Sequence, residues 1–302
     1  MIKKSPSIKR AKDRLARLSL ASATAISIVT TIAIVFVLGT EAWGFFAMPE
    51  VSVADFLFGT KWSPLLGNEK HFGIWPLICG TLLVTAVAAS IAIPCGVVTA
   101  IFLAEYAPSS IRNILKPVLE ILAGVPSVVY GFFALTVITP MIQTMIPGVD
   151  IYNALSAGIA VGIMCIPIVT SMSEDAIQSV PDTLREGSFA LGGTKLDTSI
   201  KVVFPAALSG VVSSCLLSIA RAVGETMIVA LAAGNLAQLT LNPGNQVQTM
   251  TAYMVQIFLG DTDAIGVEYK SSYAVAATLF VMTLLLTWIG HSLSRKYKEV
   301  YS

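Results

Sequence analysis

Long uncharged runs separated by short charged segments set the pattern of this chain. Residues 18–38 carry no charge, and a run of that length is enough to cross a hydrocarbon core of about 30 Å as a helix. Residues 75–104 are again uncharged, with Pro94 inside, and predict a tilted or kinked second helix. Residues 121–149 hold Gly124, Pro126, Pro140 and Pro147; they predict a third helix over about 118–142, bent near Gly124-Val125-Pro126-Ser127. A fourth helix is expected over 151–173, where the pair Gly158 and Gly162 would let another helix approach closely. A fifth is expected over about 205–234 and a sixth over 271–290. The connections are a mixed segment 44–73 with Trp43, Phe45, Phe46 and Trp62 as interfacial aromatics, a short turn at 105–117, a turn at Asp150, a charged segment 174–201, and a polar loop 235–270 with a short apolar helix near 251–260. The organisation expected is therefore a basic tail 1–17, a first span 18–43, an outer loop 44–73, a core of five spans over 74–292 with a charged loop at 174–203, and a tail 293–302.

Composition agrees with this pattern. The 302 residues are 55% hydrophobic and 12% charged, with a mean hydropathy of +0.78. Soluble domains carry about 25% charged residues, so the chain reads as an all-α integral membrane protein. The run at 18–38 is longer than the apolar core of a signal peptide, which predicts an uncleaved first helix. The basic residues then orient the spans. Lys3, Lys4, Lys9, Arg10, Lys12, Arg14, Arg17, Arg112, Lys116, Arg185, Lys195, Lys201, Arg295, Lys296 and Lys298 fall on one side of a six-span topology; only Lys61, Lys70 and Lys270 fall on the other, and Arg221 lies within a span. The excess of Lys and Arg predicts that both termini are cytoplasmic. Cys79, Cys95, Cys165 and Cys215 lie in apolar stretches without ligand spacing, and His71 and His291 are far apart. Apolar packing, rather than a disulfide or a metal, is the reading for the cysteines.

The charged segment has helix punctuation of its own. Pro181 can open a helix, Asp182 suits its first turn, and Gly192-Gly193 can end it. A second short helix over 195–203 leads to Pro205. Periodicity alone leaves two readings open, a surface-bound connector or a lever that fits a groove in a soluble partner. The spacing goes further. Glu186-Gly187-Ser188, three residues, Gly192, nine residues, then Val202-x-Phe204-Pro205 resembles the cytoplasmic loop motif of bacterial ABC importer permeases: Glu-Ala-Ala, three residues, Gly, nine residues, Ile-x-Leu-Pro. The four exchanges, at Gly187, Ser188, Val202 and Phe204, are small or apolar. The resemblance implies a type I ABC importer permease fold with six transmembrane helices. It also implies that Leu184, Arg185, Glu186, Gly187, Ser188, Ala190, Leu191 and Gly192 form the coupling helix that docks on an ATP-binding subunit. Residues 72–82, 102–108, 115–133 and 220–227 are similar to the PstC branch of the phosphate-specific permeases, with the sister PstA branch similar in the same regions; the long first outer loop favours the PstC side. This implies a subunit of an inorganic phosphate importer in the bacterial inner membrane. Its partners would be a second permease, two ATP-binding subunits and an external phosphate-binding protein. GSFALGGTK lacks the Gly-Lys-Ser/Thr of a phosphate loop and follows no strand. The chain is therefore expected to be no enzyme and to hold no cofactor, with ATP and magnesium on a partner.

Arg221 and Glu225 are the candidate chemistry inside the membrane. Arg221 lies roughly 24 Å along a helix from Pro205, where an arginine costs at least about 3 kcal/mol to insert. Glu225, four residues on, would share its face of an unbroken helix. One reading is a self-neutralising pair that fixes packing. The other is an anion site facing a pathway, in which Arg221 holds two oxygens of an oxyanion and Glu225 accepts a hydrogen bond from the proton that phosphate retains and sulfate lacks. Rival readings are the PstA-like sister, a permease for molybdate or sulfate, and a channel or secondary transporter that needs no ATPase. A membrane enzyme has no credible cluster in the sequence.

Overall fold

A backbone that crosses lipid must satisfy its hydrogen bonds internally, so the apolar runs form helices. The computed structural model describes residues 6–65, 70–260, 263 and 266–296. In chain order the elements are α1 (Pro6–Phe46), α2 (Val53–Phe58), β1 (Trp62–Ser63), β2 (His71–Phe72), α3 (Trp75–Ile101), α4 (Ser109–Ala123), α5 (Ser127–Phe133), α6 (Thr139–Met145), α7 (Ala154–Gln178), α8 (Asp182–Ala190), α9 (Lys195–Thr198), α10 (Phe204–Val223), α11 (Met227–Ala232), α12 (Met250–Leu259) and α13 (Val267–Lys296). Single π turns at Phe102–Tyr106, Ala134–Ile138 and Ser199–Val203 extend or join these helices. β1 and β2 pair antiparallel, Trp62 opposite Phe72 and Ser63 opposite His71.

Among the described residues, six helices are long and apolar enough to cross a membrane: Asp13–Phe46, Trp75–Tyr106, Ser127–Met145, Ala154–Gln178, Lys195–Val223 and Val267–Ser292. This is the six-span pattern the sequence predicts. α7 is the central post, packed on α3, α10 and the α4–α6 arm. Small residues let it sit there. A β-carbon on Gly158 would lie 2.5 Å from Cβ of Val87, and one on Gly162 would lie 3.0 Å from the Ala88 carbonyl. The Gly158–Gly162 pair therefore serves packing within the chain. Gly210 repeats the device between α10 and α7, where a β-carbon would meet that of Ala176 at 2.4 Å. The core at this junction joins Val84, Ala88, Val161, Met164, Cys165, Ile228 and Val229.

Several boundaries differ from the sequence reading. The first helix starts at Pro6 and runs without a break at residue 17 to Phe46, because the basic tail has good helix formers and no breaker. The tail readings at residues 1–5 and 297–302 lie outside the described residues. The outer segment 44–73 contains α2 and the small β pair, knitted by Phe45, Phe56, Trp62 and Phe72 in edge-to-face contacts. Residues 109–123, expected to be a turn and the start of the third span, form the separate helix α4, and that span begins only at Ser127, after the break at Gly124–Pro126. The stretch expected as an outer loop is partly interior: Val247, Gln248, Thr249 and Met250 are buried, and the Gln248 carbonyl closes on Gly80 of α3.

Candidate functional site

The fifth span carries the candidate site, and it is not continuous. α10 ends at Val223, capped by Gly224, whose N–H donates to the Ala220 carbonyl at 3.2 Å. α11 starts anew at Met227. Arg221 therefore sits in the last turn of α10 and Glu225 in the break, so four-residue spacing no longer sets their relation. No ion pair joins them among the described residues, and the self-neutralising pair is not formed. Glu225 is instead bound to the backbone it interrupts. Its Oε1 accepts from the N–H of Met227 at 3.1 Å and of Ile228 at 3.3 Å. This satisfies two amides at the start of α11 that have no helical partner and places negative charge at the positive end of the helix. The Glu225 carbonyl, freed by the break, accepts from Thr251 Oγ1 at 2.6 Å. Glu225 is 6% exposed, and its Oε2 makes no hydrogen bond among the described residues and is not sealed from solvent-sized space.

Arg221 is exposed on the helix surface. Its Nη2 donates to Met164 Sδ at 3.6 Å, a weak acceptor. Met164 lies near the midpoint of α7 (Ala154–Gln178), so the guanidinium stands at mid-span height with no carboxylate against it. An arginine so placed is available to an anion.

The second half of the site is the charged segment. α8 forms where the sequence predicts, with Pro181 at its N-cap and Asp182 in its first turn. It ends on Gly192 at φ +84°, which a glycine tolerates. The N–H groups of Gly192 and Gly193 donate back to the Phe189 and Ser188 carbonyls, each at 3.0 Å. Glu186, Gly187, Phe189, Ala190, Leu191 and Gly192 are exposed, Leu191 at 92%; Leu184 and Ser188 are half-buried. Nothing lies within 4 Å of a β-carbon added at Gly187, so the alanine of the family motif would fit there. Arg185 departs from the expected set, for it turns inward onto Glu105 and the end of α7.

Beside it lies a charge cluster that sequence reasoning missed. Glu174, fully buried near the end of α7, takes Arg112 Nε at 2.7 Å on Oε1 and Gln178 Nε2 at 2.6 Å. Lys116 Nζ sits 3.2 Å from Glu174 Oε2 and donates to Asp175 Oδ1 at 2.8 Å. The bond to Asp175 lifts the Lys116 ammonium above its usual pKa, against the opposing effect of burial. These contacts fasten α4 to α7.

A family model described as "Binding-protein-dependent transport system inner membrane component" matches residues 92–299. The chain belongs to this family. The family is one of transport permeases of the inner membrane, and the matched stretch holds both halves of the site. "Probable ABC transporter permease protein YqgH" of Bacillus subtilis is 36% identical over 93% of this chain and 91% of its own length. "Phosphate transport system permease protein PstC" of Mesorhizobium japonicum is 34% identical over 78% of this chain and 76% of its own. Among solved structures, a bacterial alginate ABC transporter in complex with its pentasaccharide-bound periplasmic protein aligns at a TM-score of 0.65, with 13% identity over 96% of this chain and 99% of that chain. The MetNI methionine transporter, facing inward, aligns at 0.59, with 16% identity over 75% of this chain and 98% of that one. At such identities these neighbours speak for the fold alone, which is that of an ABC importer permease.

Proposed function

We propose that this chain is one of two membrane-spanning subunits of an ATP-driven importer of inorganic phosphate. The observation that carries the proposal is the Arg221 guanidinium, held at mid-span height, exposed and without a carboxylate partner. The names of the PstC relatives support phosphate as the anion. One arginine is a thin site for a divalent anion, so the pathway lies between this chain and a second, PstA-like permease that brings charge of its own. α8 docks on one of two PstB-like ATP-binding subunits through the exposed Glu186, Phe189 and Leu191, and a PstS-like external protein delivers phosphate on the opposite side. The excess of basic residues on the α8 side puts both termini in the cytoplasm. ATP and magnesium reside on the partner subunits, and this chain has no catalytic site of its own.

Within that pathway Arg221 attracts the oxyanion and binds two of its oxygens. Glu225 divides its carboxylate: Oε1 holds the start of α11, while Oε2 accepts a hydrogen bond from the oxygen on which phosphate still carries a proton. Closure of the ATPase pair displaces α8 and switches the pathway from outward- to inward-open. The test is phosphate uptake by the complex in proteoliposomes. Arg221→Ala is expected to abolish uptake and leave a complex of normal composition. Normal uptake in that variant would remove Arg221 from the pathway, and loss of the complex would make it a packing residue.

A further inference from the structure

The coupling helix is poorly anchored by apolar contact. α8 has nine residues, none of them fully buried, and a helix that short is marginal without tertiary support. Leu184 packs against the cluster of Ala100, Ile177, Val180 and Val203, and Ser188 meets Thr198 at 2.8 Å. The dense contact is Arg185. Its Nη1 donates to the Val180 carbonyl at 2.6 Å and Nη2 to the Ile177 carbonyl at 3.0 Å. Nε and Nη2 reach Glu105 Oε1 at 3.2 and 2.9 Å. Nη1 also lies 3.1 Å from Asp182 Oδ1. The Arg185 side chain is 16% exposed and that of Glu105 8%. One planar fork thus joins α8, the Ile177 carbonyl in the last turn of α7, the Val180 carbonyl just beyond it, and the π turn that ends the second span.

We propose that Arg185 is a positioning residue that makes α8 one rigid body with the ends of α3 and α7, so that displacement of α8 by the ATP-binding subunit reaches both spans. This rests on the importer reading above. The chemistry is specific to arginine. The carbonyls at the end of α7 carry the negative pole of the helix, and several acceptors in different directions suit a guanidinium with its five donors, where an ammonium is a single point charge. The residue therefore acts on transmission and not on docking, since its donors point away from the face that Leu191 and Glu186 expose. The route through α9 and α10 remains as a second path, made by Ser188 and Thr198, and ends at Arg221.

The test uses the complex purified from membranes by a tag on this chain, with Arg185→Ala, Arg185→Lys and Glu105→Gln compared with the parent. ATP hydrolysis and phosphate uptake are measured together in proteoliposomes, and hydrogen exchange of amides 183–190 in the assembled complex. Arg185→Ala is expected to retain the ATP-binding subunit and to hydrolyse ATP, with phosphate imported per ATP lowered roughly tenfold or more and faster exchange across α8. Arg185→Lys should fall between. Should Arg185→Ala fail to fold, Glu105→Gln, altered on a different element, gives the same reading. Unchanged uptake per ATP in Arg185→Ala or Glu105→Gln overturns the proposal, as does loss of the ATP-binding subunit. If the parent complex takes up no phosphate, the importer reading fails by itself; the exchange measurement then decides the latch, and parental exchange across α8 in Arg185→Ala overturns it.

Discussion

Replacing Glu225 separates two jobs that one carboxylate performs. Glutamine keeps a carbonyl oxygen where Oε1 now accepts from Met227 and Ile228, but it puts an amide donor in place of Oε2. Alanine removes both. Loss of a cap costs about 0.5–2 kcal/mol, and loss of negative charge from a helix start costs up to about 2 kcal/mol in partly buried settings. Glu225→Gln keeps the cap and loses the charge, so it is expected to assemble with a loss of at most about 2 kcal/mol, and Glu225→Ala, which loses both, to be less stable than Glu225→Gln by about 0.5–2 kcal/mol. The effect on substrate choice follows from Oε2. A hydrogen bond to a charged group contributes about 1.5–3 kcal/mol, so Glu225→Gln should lose roughly ten- to hundredfold of its preference for phosphate over sulfate. The assay is competition of sulfate against labelled phosphate uptake in proteoliposomes, with melting of the purified complex measured alongside. Parental discrimination in Glu225→Gln, with folding weakest in Glu225→Ala, would refute a selective role and leave Glu225 as the cap of α11.

Glu174→Ala strips the buried carboxylate from Arg112 and Lys116; because both cations are about one-third exposed and Lys116 keeps Asp175, the loss is expected near 2–3 kcal/mol, at or below the lower end for a broken buried pair, read from detergent unfolding. Lys116 has a raised pKa in the folded state, so its share of that stability is fully present below the ordinary value of 10.5 and is lost only as pH rises through the higher folded value; Lys116→Met should lower the melting point equally at pH 6 and 9, and a loss confined to the acid side would contradict the assignment. Gly158→Ala is expected to cost about 1–3 kcal/mol by forcing α3 from α7, while Gly39→Ala, with nothing within 4 Å, should be neutral or slightly stabilising in the same measurement. Leu191→Asp should leave this chain as stable as the parent but abolish co-purification of the ATP-binding subunit; retained co-purification would take Leu191 off the docking face.

The spans and α8 were legible because their signals are local. Uncharged length marks a span, and Pro181, Asp182 and Gly192 punctuate α8 within a dozen residues. The close approach of α3 to α7 was legible as a possibility in Gly158 and Gly162, though not its partner. The break in the fifth span was not, because Gly224 interrupts an apolar pattern that continues on both sides and no proline marks the place. An isolated glycine followed by Glu225 and Thr226, two side chains that can accept from a helix start, was the available signal. α4 was mistaken for a turn because its charges broke the apolar run, although Arg112, Lys116 and Glu120 recur every four residues as on one helical face. The inward turn of Arg185 depends on Glu105, eighty residues earlier in the chain, and no local pattern reports such a partner.

α1 packs chiefly against α13, and the exposed stretch of the helix lies outside residues 92–299. During synthesis α1 leaves the ribosome well before α13, the helix it packs on. At about 5–20 residues per second the interval from Phe46 to Val267 is on the order of tens of seconds. Throughout that time the span of α1 must persist in lipid with only the outer segment 44–73 against its end, which its apolar surface equips it to do. Translation arrested before Val267 should therefore leave α1 inserted, and because its span stays exposed in the finished chain, completion should change its accessibility to lipid-borne cross-linkers little.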